Sequence, residues 1–243
     1  MPDSQPVALI TGAGVRLGSA SARALAQRGA SVALHYRSSA EGVERLAEEL
    51  RGCGVDTAIF QADLADSTTY APLLSAVEKR FGRLDILVNN SGIYESSSFE
   101  NVAPADFERM IAINLRAPFF LTQAAMPLLR ASRGCIVNIT DTDVAAPYPG
   151  YSHYFAAKGG LEVLTAALAT ELGPLVRVNA VGPGTVAVPV GMSEAEGEAL
   201  GAAVPLRRVG EPEDVAKTVA YLVFDAPYVT GQVIRVDGGR VTR

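Results

Sequence analysis

Cysteine is scarce in this chain: two residues among 243, Cys53 and Cys135, at neither paired nor metal-type spacing. That excludes a disulfide framework and a structural zinc site, and both thiols are expected to be reduced and buried. The two histidines, His35 and His153, also lack the spacing of metal ligands. Basic residues are in deficit, 21 Lys and Arg against 26 Asp and Glu, a net charge of -5. No general attraction to nucleic acid or to an anionic lipid surface is built in, so any anion site must be local. Long apolar runs are missing too. No stretch reaches the roughly eighteen uncharged apolar residues of a membrane span, and Met1 to Pro6 carry neither the basic patch nor the apolar run of a signal peptide. A cytoplasmic location is expected. Internal repeats, low-complexity tracts and long like-charge runs are absent as well.

What is present is enough apolar material, 49% of the chain, for one substantial core and a single domain over residues 1–243. Short β-branched runs alternate with segments of helical period. Strands are predicted over Pro6 to Thr11, Ser31 to Tyr36, Asp56 to Gln61, Leu84 to Asn89, Gly134 to Ile139, Leu175 to Val181 and Gln232 to Val236. Helices are predicted over Leu17 to Arg28, Glu41 to Arg51, Ser67 to Phe81, Pro104 to Ala131, Tyr151 to Leu172 and Pro212 to Phe224, with Pro118 bending or dividing the long one. Gly29, Gly82, Gly134 and Gly173 stand where left-handed caps are wanted. The implied fold is a Rossmann-type α/β domain, a doubly wound parallel sheet of seven strands with helices on both faces. Its ligand crevice lies beyond the carboxyl ends of the strands. Residues 182–204 are poorly periodic and read as a lid over the substrate.

The first strand runs into Thr11-Gly12-Ala13-Gly14-Val15-Arg16-Leu17-Gly18 and then an Ala-rich helix. Glycines there let backbone N–H groups approach a pyrophosphate at the positive end of the helix dipole. The second strand ends in His35-Tyr36-Arg37-Ser38, with no Asp or Glu to bind a ribose 2'-hydroxyl. Arg37 and Ser38 instead offer a cation and hydrogen-bond donors that suit a 2'-phosphate, so NADPH is the expected cofactor. Tyr154 lies four residues before Lys158, one helical turn away on the same face. A nearby ammonium stabilises phenolate, which equips Tyr154 for proton transfer.

These motifs resemble the short-chain dehydrogenase/reductase family over nearly the whole chain. Arg16, where the middle glycine usually sits, the His35-Tyr36-Arg37-Ser38 run and the Arg240-Val241-Thr242-Arg243 tail are similar to the pteridine reductase branch. The resemblance implies cofactor-contacting roles for Asp63-Leu64, for Asn90-Ser91-Gly92 and for Pro183-Gly184. It assigns catalysis to Tyr154 and Lys158, with Asn114 holding a water in the proton relay. The family usually has serine thirteen positions before the tyrosine, whereas here that position is Asp141, as in pteridine reductases. An ionised carboxylate would repel the developing oxyanion of a ketone, but it favours a protonated phenol suited to proton donation at a C=N bond. Tyr94 stands where pteridine reductases stack an aromatic ring on the pterin, beside Arg16.

Each residue also has a plainer reading: Arg16 as a turn residue, Asp141 as a strand-end cap, Asn114 as a structural amide and Tyr94 as a loop tyrosine. The function expected is NADPH-dependent reduction of a pterin or dihydrofolate-like substrate, with Arg16, Tyr94, Asp141 and Tyr154 facing it. The alternatives are a short-chain reductase of 3-oxoacyl or other ketones and a non-catalytic NADPH-sensing regulator. The resemblance further implies a homotetramer packed through residues 104–131 and 151–172. In that branch a terminal arginine approaches a neighbouring active site, but this tail is one residue shorter.

Overall fold

The computed structural model describes residues 5–186 and 193–242. Seven parallel strands are joined in the order β3-β2-β1-β4-β5-β6-β7. They are β1 (Val7–Ile10), β2 (Ser31–Tyr36), β3 (Thr57–Gln61), β4 (Ile86–Asn89), β5 (Cys135–Ile139), β6 (Arg177–Pro183) and β7 (Val233–Val236). The strand order reverses between β1 and β4, so the crevice opens where the carboxyl ends of those two strands diverge.

Alternation along β1 shows how the sheet is clothed. Ala8 and Ile10 enter one core with α1 (Arg16–Gln27), α2 (Ala40–Gly52) and α8 (Pro212–Phe224), while Val7 and Leu9 face α3 (Tyr70–Phe81), α5 (Ala117–Ser132) and α6 (Ser152–Leu172). Successive side chains of a strand point to opposite faces, and with both faces covered the strands need to be apolar throughout. Val7 to Ile10 and Cys135 to Ile139 are buried at every position.

Three expectations need correction, and a fourth gains a structural detail. The long helical segment is divided by a π-helical turn over Ala112–Arg116, between α4 (Pro104–Ile111) and α5, and not by a kink at Pro118. Pro118 has no N–H to give the carbonyl four residues back, and the widened turn just before it absorbs the mismatch: Ala117 N–H bonds the carbonyl of Ala112, five residues away. Gly29 and Gly82 do take positive φ, but Gly134 and Gly173 do not. At the first of these the left-handed residue is Arg133, and Gly134 is needed because a Cβ there would stand 2.2 Å from the Asp85 carbonyl oxygen. The stretch read as a lid contains a helix, α7 (Glu194–Ala202), opened by a Ser193–Glu196 capping box; residues 187–192 lie outside the described residues. Cys53 is exposed, not buried, whereas Cys135 is buried.

Candidate active site

The sheet's carboxyl edge frames a cavity of about 600 Å³ that runs from Arg37 and Asp63 at one end to Tyr148 and Arg240 at the other. Of the residues singled out in the sequence, Gly12, Arg16, Leu17, His35, Arg37, Ser38, Asp63, Leu64, Asn90, Ser91, Gly92, Tyr94, Asn114, Asp141, Tyr154, Lys158, Pro183 and Gly184 all line it. Tyr36 does not: its ring packs against the core beneath α1 and α2, because side chains alternate at the strand end and its neighbours His35 and Arg37 take the cavity side.

The glycine-rich turn is packed to backbone distance. Gly12 has φ +65°, and a Cβ on Gly18 would fall 2.1 Å from the Gly12 carbonyl oxygen. Asn90 clamps the turn from β4, donating to the Thr11 and Gly12 carbonyls at 2.7 and 3.2 Å. His35 clamps it from β2. Its Nδ1 accepts from Gly12 N–H at 3.2 Å while Nε2 faces the Ala62 carbonyl at 3.1 Å, which requires the neutral tautomer with hydrogen on Nε2. Burial pushes this imidazole down to about 4. His35 would therefore act on a dinucleotide at this turn through Gly12. Arg16 holds φ +48°, a conformation that costs a non-glycine residue about 1–2 kcal/mol, and its Nη2 donates to the Val186 carbonyl at 3.3 Å.

These features fit a dinucleotide. A Cβ on Gly42 would stand 2.4 Å from the Gly14 carbonyl oxygen, so a glycine at 42 is what lets the turn lie this close to the start of α2. Exposed Arg37 and Ser38 lie at that end, and they would hold a 2'-phosphate. Asp63 spends one carboxylate oxygen on Ala65 N–H, 2.9 Å away. At the far end Gly184 is fixed by its N–H on the Val236 carbonyl, 2.9 Å away.

Asp141, Tyr154 and Lys158, singled out for catalysis, stand just after β5 and on α6. Tyr154 Oη donates to Asp141 Oδ2 at 2.8 Å, and Lys158 Nζ donates to the Ile139 carbonyl at 2.8 Å. Burial raises the phenol well above its ordinary value, with the Asp141 charge and hydrogen bond adding to the rise. Lys158 stands 6.0 Å from the tyrosine ring centre, and its charge is not what sets the phenol; the expected depression by the ammonium is overridden. Burial also raises Asp141 and lowers Lys158 to about 8. The site thus holds a protonated phenol against an acid that gives up its own proton reluctantly.

Asn114, fully buried in the π-helical turn, bonds Ile93 in both directions, accepting from its N–H at 3.2 Å and donating to its carbonyl at 3.0 Å. It fixes the loop after β4, and a Cβ on Gly92 would lie 2.7 Å from its Oδ1 and 3.5 Å from Lys158 Nζ. Tyr94, on that loop, stacks on Tyr151 at 4.4 Å, edges onto Tyr154 at 4.9 Å and shares a 2.5 Å hydrogen bond with Tyr148. One of its two faces is therefore taken.

Sequence reasoning missed Tyr148, Asp143 as a cavity residue, and Arg240. The last arrives from the turn after β7 and pairs with Asp143 at 2.6 Å. Arg243 lies outside the described residues.

A family model described as enoyl-(acyl carrier protein) reductase matches residues 12–240. The 3-oxoacyl-[acyl-carrier-protein] reductase of Staphylococcus aureus is 37% identical over 96% of both chains. A blue fluorescent protein from a metagenomic library, solved in complex with NADPH, superposes with a TM-score of 0.90 at 35% identity, covering 97% of this chain and 98% of that one. A short-chain dehydrogenase/reductase from Serratia marcescens does so with a TM-score of 0.92 at 33% identity, covering 99% of each.

Proposed function

The chain belongs to the short-chain dehydrogenase/reductase family, and from that premise we propose that it is an NADPH-dependent reductase of a flat, conjugated substrate of the pterin or dihydrofolate type, acting at a C=N bond. The observation that carries this reading is the 2.8 Å hydrogen bond from Tyr154 to Asp141. A hydroxyl at position 141 could donate to a ketone oxygen, whereas a carboxylate can only accept. A carboxylate does suit a nitrogen that must take up a proton, because it keeps the phenol protonated until that moment.

The glycine-rich turn would hold the dinucleotide, which when bound would supply the hydride. The chain's own residues hold and move the proton. Tyr154 Oη donates it and is left as a phenolate that regains a proton from solvent before the next cycle, Asp141 holds the phenol in place, and Lys158 would hold the ribose hydroxyls. Arg37 and Ser38 favour the 2'-phosphorylated form of the nucleotide. Tyr94 and Arg16 border the ring. The C=N reading calls for NADPH oxidation with dihydrobiopterin or dihydrofolate, and silence with both would defeat it.

A second reading is reduction of a ketone. The Staphylococcus aureus relative carries a 3-oxoacyl reductase name, and everything but Asp141 and Arg16 serves that chemistry equally. Acetoacetyl-CoA turnover exceeding that of both pterins would favour it. A regulator that binds NADPH without turnover has no need of the buried Tyr154 and Lys158 found here.

A further inference from the structure

We infer that Asp143 and Arg240 together form a recognition edge for the end of the substrate remote from the reacting bond, selecting a neutral ring whose rim carries a hydrogen-bond donor beside an acceptor and turning away carboxylates. The inference rests on the reductase reading above, since it takes the cavity around Tyr154 as the substrate site.

The argument starts from an ion pair left half closed. Arg240 Nε donates to Asp143 Oδ1 at 2.6 Å, and the two groups meet through that bond alone. Arg23 and Arg28 close both prongs of the guanidinium, Arg23 giving Nε and Nη2 to the two oxygens of Glu49 and Arg28 both Nη atoms to Asp225, while Arg45–Glu41 and Arg208–Asp214, like Arg240–Asp143, meet through one bond but lie on the exposed surface and not at the cavity. The second contact of Arg240 is a long one, from Nη1 to Thr185 Oγ1 at 3.5 Å. Among the described residues Asp143 Oδ2 and Arg240 Nη2 have no hydrogen-bond partner, yet neither is one of the polar atoms sealed from solvent without one. Both side chains line the cavity that holds Tyr154.

A carboxylate oxygen only accepts and a guanidinium N–H only donates. Side by side at a cavity wall they match a ring edge of opposite sense, such as a lactam or a 2-amino-4-oxo pyrimidine, whose N–H would reach Oδ2 and whose carbonyl would take Nη2. The pair is neutral as a unit and therefore draws in no net charge. Asp141, two residues away, places a second acid group beside the same space, and Asp143 N–H is bonded to its Oδ1 at 2.8 Å. At this end of the cavity, away from Arg16 and Lys158, a substrate carboxylate would meet two acid groups and a guanidinium whose Nε is already given to one of them, an arrangement that disfavours it.

The edge is also held rigid, which lowers the ordering cost of binding. Arg240 follows Asp237, whose carboxylate accepts from Thr142 Oγ1 at 2.8 Å, from Gly239 N–H at 2.8 Å and from Val241 N–H at 3.2 Å. The end of the chain is thereby fastened to the turn after β5 that carries Asp143. Nothing in the motif spacing marks Arg240 for this place.

The test uses two isosteric, unreactive probes, 2-naphthamide and 2-naphthoate, titrated calorimetrically into the complex of the full chain with NADP+. The wild-type complex should bind the amide at least about tenfold more tightly than the carboxylate. Asp143→Asn, which keeps the shape and removes the charge, should narrow that gap to within about twofold, and Arg240→Met should weaken the amide by about tenfold. Equal affinity for both probes in the wild type, or variants that shift both probes by one common factor, would overturn the inference. Should Arg240→Met not fold, the change in selectivity on Asp143→Asn decides alone. Because binding is read without turnover, the outcomes separate. Amide preference in a protein that reduces no pterin or ketone removes the reductase reading and keeps the edge. Reductase activity without amide preference removes only the edge.

Discussion

Tyr154 and Asp141 share one hydrogen bond of 2.8 Å in which the phenol is the donor, and burial raises the proton affinity of both groups. The tyrosine that the Tyr-x-x-x-Lys spacing marks out is thus governed by the acid across from it more than by the lysine one turn along. Lys158 is turned toward the Ile139 carbonyl. This inverts the order of influence that spacing alone suggests, and it makes the proton donor the element to remove first.

Tyr154→Phe keeps the ring and its edge contact with Tyr94 while deleting the hydroxyl proton held against Asp141 Oδ2. Loss of a general acid costs typically ~10²–10⁴ in rate. We expect kcat to fall by that factor, with NADPH binding still detectable by fluorescence titration. Turnover within about threefold of wild type would mean that the proton comes from elsewhere.

Asp141→Asn should act through the phenol. The aspartate's charge and hydrogen bond both raise Tyr154, so an uncharged amide lets the phenol ionise at lower pH. The alkaline limb of kcat/KM reports loss of the proton from the free enzyme's acid, and it should move toward lower pH in the variant. A limb that stays in place, or moves toward higher pH, would show that Asp141 does not set the acidity of the donor.

Arg37 is exposed at the end of the cavity that Asp63 also lines, and it enters none of the ion pairs of the described residues, acting on Glu95 only at longer range. Arg37→Asp replaces attraction to a 2'-phosphate with repulsion and offers an acceptor to a 2'-hydroxyl. The KM for NADPH should rise by roughly 10–100-fold while NADH improves, as seen in parallel steady-state titrations. A variant with an unchanged ratio of the two cofactors would place the 2'-phosphate site elsewhere.

Most of the sheet, and the place at the cavity of every site residue singled out except Tyr36, could be read from the chain because they follow from short-range rules. Val7 to Ile10 is apolar on both faces, as buried parallel strands need to be, Cys135 to Ile139 is so but for Asn138, whose amide is hydrogen-bonded to Asn89 and Thr165, and the motifs fall at strand ends where such sheets bind ligands. The failures are places where a distant contact decides. Gly134 is a glycine because of the Asp85 carbonyl and not because of a cap. Pro118 is accommodated by a widened turn upstream, whose Asn114 then serves the Ile93 backbone. Arg240 and Asp143 are 97 residues apart and meet only once β7 lies beside β6. Tyr36 was drawn in by its neighbours, although strand alternation already sends it the other way.

His35 ties the fold's stability to pH through the nucleotide turn. Its neutral imidazole takes the Gly12 N–H on Nδ1, and a second ring proton would set donor against donor there. In the unfolded chain the group titrates near 6.5, and in the fold burial brings it to about 4. Between those values the unfolded chain binds more protons than the native one, so stability falls as pH falls. The contribution is complete above the unfolded value and is gone below about 4, a change on the order of 3 kcal/mol, of which about 2 kcal/mol is spent by pH 5. His35→Asn, which can still accept from Gly12 but does not titrate, should be less sensitive to acid by about that amount in urea unfolding at pH 7 and pH 5. NADPH affinity should weaken over the same interval in the wild type, because the turn that receives the pyrophosphate loosens with its clamp. Parallel pH dependences in the two proteins would mean that the imidazole is solvated and that the Gly12 turn is held by Asn90 alone.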